Sequence, residues 1–243
     1  MIRRLTIDAP QRSRVGRDRP LRLLAVSDEP ERALADKRNR AALQPLDAVL
    51  GCGDLEPDYL AFVADAFCVP LLYIRGNHDW GAAWDASHQA PLPLAGRFDQ
   101  VGGLTIAGLS WPTAIRRRAD RDETDAWLQA LAMAGRSLLR GRRPQVIISH
   151  APPQGAGDAA DAYHRGFAGY RWLCRRLRPM LWLHGHTTVA SSPNWRATLG
   201  ATQLVNTTGA VMIEIRSPAP PAVPSADPIT DARPPAGPSE ASE

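Results

Sequence analysis

The sequence predicts an α/β domain built on a parallel sheet with covering helices, and three observations carry that reading. Apolar runs of strand length alternate with amphipathic runs of helix length from Leu21 to Ile74, a β-α-β-α-β rhythm. Apolar runs end abruptly on side chains able to bind a metal or move a proton, at Asp28, Asp54, Asn77-His78-Asp79, His150 and His186. In a parallel sheet such ends share one edge, where open α/β folds place their chemistry. Finally, 44% hydrophobic residues is ordinary for a globular chain, and no stretch approaches the roughly 18 apolar residues of a membrane span.

The elements follow in order. Residues 1–20 hold Arg3, Arg4, Arg12, Arg14, Arg17 and Arg19 with little apolar periodicity and read as an Arg-rich flexible arm, with a short strand at 2–7. Leu21–Val26 is a buried strand ending in Ser27-Asp28-Glu29-Pro30. A helix is expected over 31–43, with Pro30 as a first-turn residue. Asp47–Leu50 is the next strand, ending Gly51-Cys52-Gly53-Asp54, and residues 57–67 form a helix with Leu60, Val63, Ala64 and Phe67 on one face. Pro70–Ile74 leads into Arg75-Gly76-Asn77-His78-Asp79.

Beyond a loop-like stretch at 80–103, strands are expected at 104–109, 145–148 and 180–183. Helices fall at 122–139, with Trp127, Leu128, Leu131 and Leu138 as its large apolar members, and at 166–177, with Leu173 and Leu177 facing the core. A closing antiparallel set is expected over 195–199, 203–206 and 211–215. Residues 217–243 are rich in Pro, Ala and Ser and cannot bury enough surface to order themselves. The domain is therefore placed at 21–216.

Cys52, Cys68 and Cys174 are odd in number and form no CxxC pair, so they read as reduced thiols. The N-terminus has no apolar h-region, and a cytoplasmic location is expected by default. The formal net charge is +4, but Lys37 is the sole lysine and the arginines are scattered, so a dedicated nucleic-acid surface is not favoured. A nuclease would need a basic groove along the strand-end edge.

Mixed carboxylate, carboxamide and imidazole donors suit a borderline divalent ion such as Mn, Fe or Zn. Glycines beside them (Gly53, Gly76, Gly185) let the backbone come close. With these residues in place, the chain resembles the calcineurin-like metallophosphoesterases, whose motifs run D-x-H, G-D, G-N-H-[DE], H and G-H-x-H. Asp28, Gly53-Asp54, Gly76-Asn77-His78-Asp79, His150 and Gly185-His186 match them in order. The resemblance implies an α+β-type β-sandwich flanked by helices, with a two-metal site at the C-terminal ends of the strands. The segment Gly157–Phe167 looks like a branch of the family with an Asp- and His-bearing loop after the fourth motif.

Two positions depart from the pattern. Pro30 and Thr188 stand where the family has histidines, and in the family both ligate one metal. The resemblance therefore implies one complete site (Asp54, Asn77, His150, His186) and a depleted one that keeps Asp28 and the shared Asp54. Glu29, Glu31 or the Thr188 hydroxyl are candidate replacements. His78 is then the expected general acid or phosphate contact, with Asp79 orienting its ring. Arg75, Asp161 and His164 are candidate substrate contacts, and His184 is read as supporting structure. The expected activity is hydrolysis of a small phosphomonoester or phosphodiester by metal-activated water. The alternative is a non-catalytic binding scaffold of the same fold. No membrane contact is expected, and the oligomeric state is left open.

Overall fold

The computed structural model of the chain describes residues 2–10, 15, 19–81, 83, 84, 93–114, 117–187 and 194–217. Two sheets pack face to face. The first has the order β1-β13-β2-β3-β4, formed by β1 (Arg3–Asp8), β2 (Leu21–Ser27), β3 (Ala48–Cys52), β4 (Leu71–Ile74) and β13 (Gly209–Arg216). The second has the order β11-β12-β10-β9-β6-β5, formed by β5 (Phe98–Val101), β6 (Leu104–Leu109), β9 (Val146–Ser149), β10 (Leu181–His184), β11 (Arg196–Leu199) and β12 (Thr202–Asn206). A small hairpin, β7 (Thr113–Ala114) with β8 (Arg117–Arg121), stands apart.

Between the sheets lies one apolar layer. Leu23, Ala25, Leu50 and Ile74 of the first sheet meet Leu104, Ile106, Val146, Ile148, Leu181, Leu183 and Val205 of the second. These strands alternate inward and outward faces, and both faces are buried because helices cover the outside. On the first sheet, Leu60, Val63 and Phe67 of α2 (Pro57–Phe67) pack on Val26, Val49 and Tyr73. On the second, α3 (Glu123–Leu139) and α4 (Ala168–Leu177) bring Ala126, Ala130, Met133, Tyr170 and Leu173 onto Ile147, Trp182 and Leu204.

The strand-end edge is shared by both sheets, as a β-sandwich implies. β2, β3 and β4 run parallel in the first sheet and β6, β9, β10 and β12 in the second. Asp28, Asp54 and residues 77–79 therefore approach from one sheet, and His150 and His186 from the other.

Four differences from expectation have local causes. The helix expected over 31–43 is a 3₁₀ turn (Arg32–Ala35) followed by a short α1 (Lys37–Ala41). It breaks at Asp36, which is extended (φ −82°, ψ 125°) and caps the Arg38 N–H with its side chain. The final strands are not one antiparallel set: β12 runs parallel to β10, and β13 crosses to the first sheet, antiparallel to β2. β1 falls on the short strand expected at 2–7, but it is docked in the sheet, parallel to β13, within the segment expected as a flexible arm. On α3, Leu128, Leu131 and Leu138 are 61%, 53% and 76% exposed, while the small residues Ala126 and Ala130 face inward. There Gly169 of α4 comes so close that a Cβ would lie 2.9 Å from the Trp127 backbone nitrogen, an approach that large side chains would block.

Candidate metal centre

Backbone strain marks the centre first. Among the described residues, five non-glycines have positive φ: Cys68 and Arg178 end α2 and α4 in the left-handed conformation common at helix termini, while Asp28 (φ 60°), Asp54 (φ 56°) and His186 (φ 65°) sit at strand ends. Such conformations persist where the surroundings enforce them, and they concentrate at functional sites. Here the strain turns three side chains toward one point.

The ligand atoms of Asp28, Asp54 and His150 lie within 4.8 Å of one another. His150 is fully buried, and its Nδ1 is 2.9 Å from the Cys52 carbonyl. An Nδ1–H donating to that carbonyl leaves Nε2 as the free lone pair, the arrangement typical of a metal-ligating imidazole. His150 Nε2 lies 3.0 Å from Asp54 Oδ2 yet out of line for a hydrogen bond. Asn77 is 2% exposed; its amide nitrogen donates to the Tyr163 hydroxyl (2.8 Å), and its Oδ1 has no partner among the described residues. Buried polar atoms are normally paired, so two orphans facing two carboxylates form a donor set with the composition of a divalent cation site.

Without a cation, the charges tell the same story. Burial opposes a proton on His150, but Asp54 and Asp28 outweigh it and raise its pKa to about 9. Burial likewise works against the Asp54 carboxylate, yet contact with His150 and the His78 N–H carries its pKa below the usual range. His186 goes the other way: burial, and then the charge on His150, lower it to about 3. It is 5% exposed, its backbone N–H donates to Asp28 Oδ1 (2.9 Å), and its Nε2 meets the Tyr163 carbonyl at 2.9 Å. His186 thus borders the Asp28–Asp54–His150 cluster while its ring contacts those of His150 and Trp111, with centroids 5.1 and 4.8 Å away.

Asp79 does something other than expected. Its Oδ2 accepts from the Asp54 N–H and the Gly76 N–H, both at 2.7 Å, and so ties the β3 and β4 end loops together; among the described residues it makes no bond to the His78 ring. Burial raises its pKa to about 6. His78 points outward, its side chain 69% exposed, with Nε2 3.3 Å from the Tyr163 hydroxyl and 4.0 Å from Asp54 Oδ2. Two glycines make these approaches feasible: a Cβ on Gly76 would overlap Asp54 Oδ1, and one on Gly185 would overlap Asp28 Oδ2.

The remaining candidates divide. His164 and Asp161 pair at 3.0 Å, with the His164 ring 5.3 Å from that of His186, so both border the centre. Arg75 lays its guanidinium 4.7 Å over the Trp84 ring, beside the centre. The Glu31 carboxylate caps the 3₁₀ turn by accepting from the Ala33 N–H (2.9 Å), and Glu29 is exposed. Thr188 lies outside the described residues. His184 is buried, with its pKa lowered to about 4 mainly by that burial, consistent with a supporting role.

Three participants escaped the sequence reading. Tyr163, from the 157–167 loop, reaches Asn77, His78 and His186 at once. Thr208 donates to Asp28 Oδ2 (3.2 Å) from just beyond β12, where the same strand-end rule would have found it. Trp111 follows β6 in the same way, and its ring packs against both histidines. Arg121 steadies the Tyr163 loop through the carbonyls of Ala162, Tyr163 and Arg165.

The described residues contain no helix long and apolar enough to cross a membrane. No curated protein matches the chain. Among solved structures, TT1561 of Thermus thermophilus is 17% identical, covering 78% of this chain and 90% of that one, with a TM-score of 0.53. A conserved uncharacterized protein (predicted phosphoesterase) of Streptococcus pneumoniae is 13% identical, covering 78% and 73%, with a TM-score of 0.35. Vacuolar Protein Sorting 29 from Cryptosporidium parvum is 14% identical, covering 78% and 75%, with a TM-score of 0.39. The family profile described as Calcineurin-like phosphoesterase matches residues 32–190, well over half of the chain, and the chain belongs to that family.

Proposed function

We propose that the chain is a metal-dependent phosphoesterase acting on a small phosphomonoester or phosphodiester. The supporting observation is the pair of buried atoms, Asn77 Oδ1 and His150 Nε2, that accept or donate no hydrogen bond among the described residues, beside the Asp28 and Asp54 carboxylates. Asp54, Asn77, His150 and His186 would hold one divalent ion, of the Mn, Fe or Zn type. Asp28 and Asp54 would hold a second more weakly, since Glu31 is engaged as a cap. The ion supplies Lewis acidity toward the phosphoryl group and lowers the pKa of its water.

The protein's own groups then have separate tasks. His78, exposed at the mouth, delivers a proton to the leaving oxygen. The Tyr163 hydroxyl, between Asn77 and His78, orients a phosphoryl oxygen. Asp79 holds the Asp54 and Gly76 loops in register.

The test is metal analysis of the full chain followed by assays with p-nitrophenyl phosphate and bis-p-nitrophenyl phosphate in added Mn. At least one ion per chain is expected, with turnover lost in Asp54→Asn and reduced about 100-fold or more in His78→Ala. No bound ion and no turnover would sink the proposal.

A further inference from the structure

A cavity of about 410 Å³ lies beside the centre, between Arg75, Trp80, Ala95 and Gly96 on one side and α3 on the other. Its size falls within the roughly 300–1,000 Å³ of small-molecule sites. Trp80 and Trp111 give it aromatic walls, Leu128 and Ala132 an apolar side on α3, and Arg75 and Arg136 positive charge. Asp125, the carboxylate in the lining, already accepts from the Thr113 N–H (3.2 Å) and the Gln129 side chain (2.7 Å). The space is therefore cationic and aromatic at once.

Trp111 joins this cavity to the chemistry. Its ring lies 4.8 Å from His186 and 5.8 Å from His150, and its backbone N–H donates to the Arg75 carbonyl (3.2 Å). Trp111 is 3% exposed, and its indole N–H has no acceptor among the described residues; Arg75 Nε is likewise buried and unpaired. Polar groups buried without partners call for a reason, and a bound acceptor supplies one. The arrangement also accounts for Leu128, a large apolar side chain 61% exposed at the cavity rim.

We propose that this cavity seats the flat aromatic part of the substrate while its phosphate lies at the metal centre, so that the substrate is a nucleoside-type phosphate. An indole face stacks on any base and a guanidinium favours an electron-rich ring carrying a phosphate, while Ser110 Oγ, whose proton goes to Gln129 Oε1 (3.3 Å), keeps its lone pairs for a base amino group. A sugar phosphate without a ring system would leave half-buried Trp80 and exposed Leu128 uncovered. This inference rests on the phosphoesterase reading for the position of the phosphate, but the cavity is testable without it.

Adenosine, which carries no phosphate, is titrated calorimetrically into the full chain in EDTA. Saturable binding is expected, weakened about tenfold or more by Ala132→Trp, which fills the cavity, and by Leu128→Glu at the exposed rim. No heat up to about 10 mM adenosine, or binding unchanged in both variants, overturns the proposal. In the Mn-loaded protein, AMP and ribose 5-phosphate share the same leaving oxygen and differ by the base. A kcat/KM ratio of about ten or more is expected, falling toward one in Ala132→Trp. Equal values in the wild type overturn the base-seating proposal and leave the phosphoesterase reading intact. If no phosphoester of any kind is turned over, that earlier reading fails, and the adenosine titration still decides the cavity.

Discussion

Replacing Asp79 by alanine separates two accounts of the same carboxylate. Its Oδ2 accepts the Asp54 and Gly76 N–H groups at 2.7 Å, one partly buried and one fully buried. Losing the acceptor strands both donors, at about 1–3 kcal/mol each. Part of this is offset, because burial has raised the carboxylate to about 6 and its charge at neutral pH is itself costly. A net loss of about 2–3 kcal/mol follows, or roughly 5–10 °C in Tm for a domain of this size. The measurement is thermal unfolding at pH 7.5 in EDTA, with the kcat of the Mn-loaded proteins beside it. The expected result is a lowered Tm. A Tm within about 1 °C of wild type, with turnover lost, would refute the loop-clasp argument and return Asp79 to orienting the His78 ring. Asp79→Asn keeps one acceptor oxygen and should fall between the two.

Other outcomes follow from the same geometry. Gly185→Ala drives a Cβ to 2.7 Å from Ser27 Oγ and into Asp28, so Mn affinity measured by calorimetry should drop about tenfold or more; an unchanged Kd would contradict the close approach. Tyr163→Phe removes the hydroxyl between Asn77 and His78 and should lower kcat/KM about three- to tenfold; an unchanged kcat/KM would remove Tyr163 from the site. His184 is held neutral with its pKa at about 4, below the roughly 6.5 of an unfolded chain. The unfolded state therefore takes up the proton first, and this contribution is complete above pH 6.5 and lost as pH falls toward 4. His184→Gln should consequently narrow its stability gap to the wild type across pH 6.5 to 4 by about 3 kcal/mol in urea melts, and parallel curves would contradict it.

Much of the site was legible because one rule, an apolar run ending in a polar donor, holds wherever a buried strand meets an edge. It located Asp28, Asp54, Asn77, His150 and His186 without knowing which sheet carried each. The rule says nothing of sheet membership, since β9 and β10 read as apolar as β2 and β3; the second sheet came from the family resemblance, which implies a β-sandwich. Asp79 was assigned by its neighbour in sequence, whereas its partners are amides brought in by the fold. The inward face of α3 could not be read from its apolar residues alone: the closeness of α4 rewards alanine and turns Leu128 and Leu131 outward. Tyr163 carries no motif of its own and becomes visible only when its loop is laid over the histidines.

β13 has a consequence for the order of assembly. It lies between β1 and β2, yet it is made last among the strands, and β1 has no other neighbour in the sheet. As the chain leaves the ribosome, residues 3–8 must wait about 200 residues for their partner, and Asp28 waits equally for Thr208. Helices and the 21–74 half can form early, but the first sheet closes only after translation has passed residue 216. A chain arrested before Gly209 would expose the whole edge of β2, an open template for pairing with other chains, and would be a substrate for chaperones rather than a smaller version of the domain.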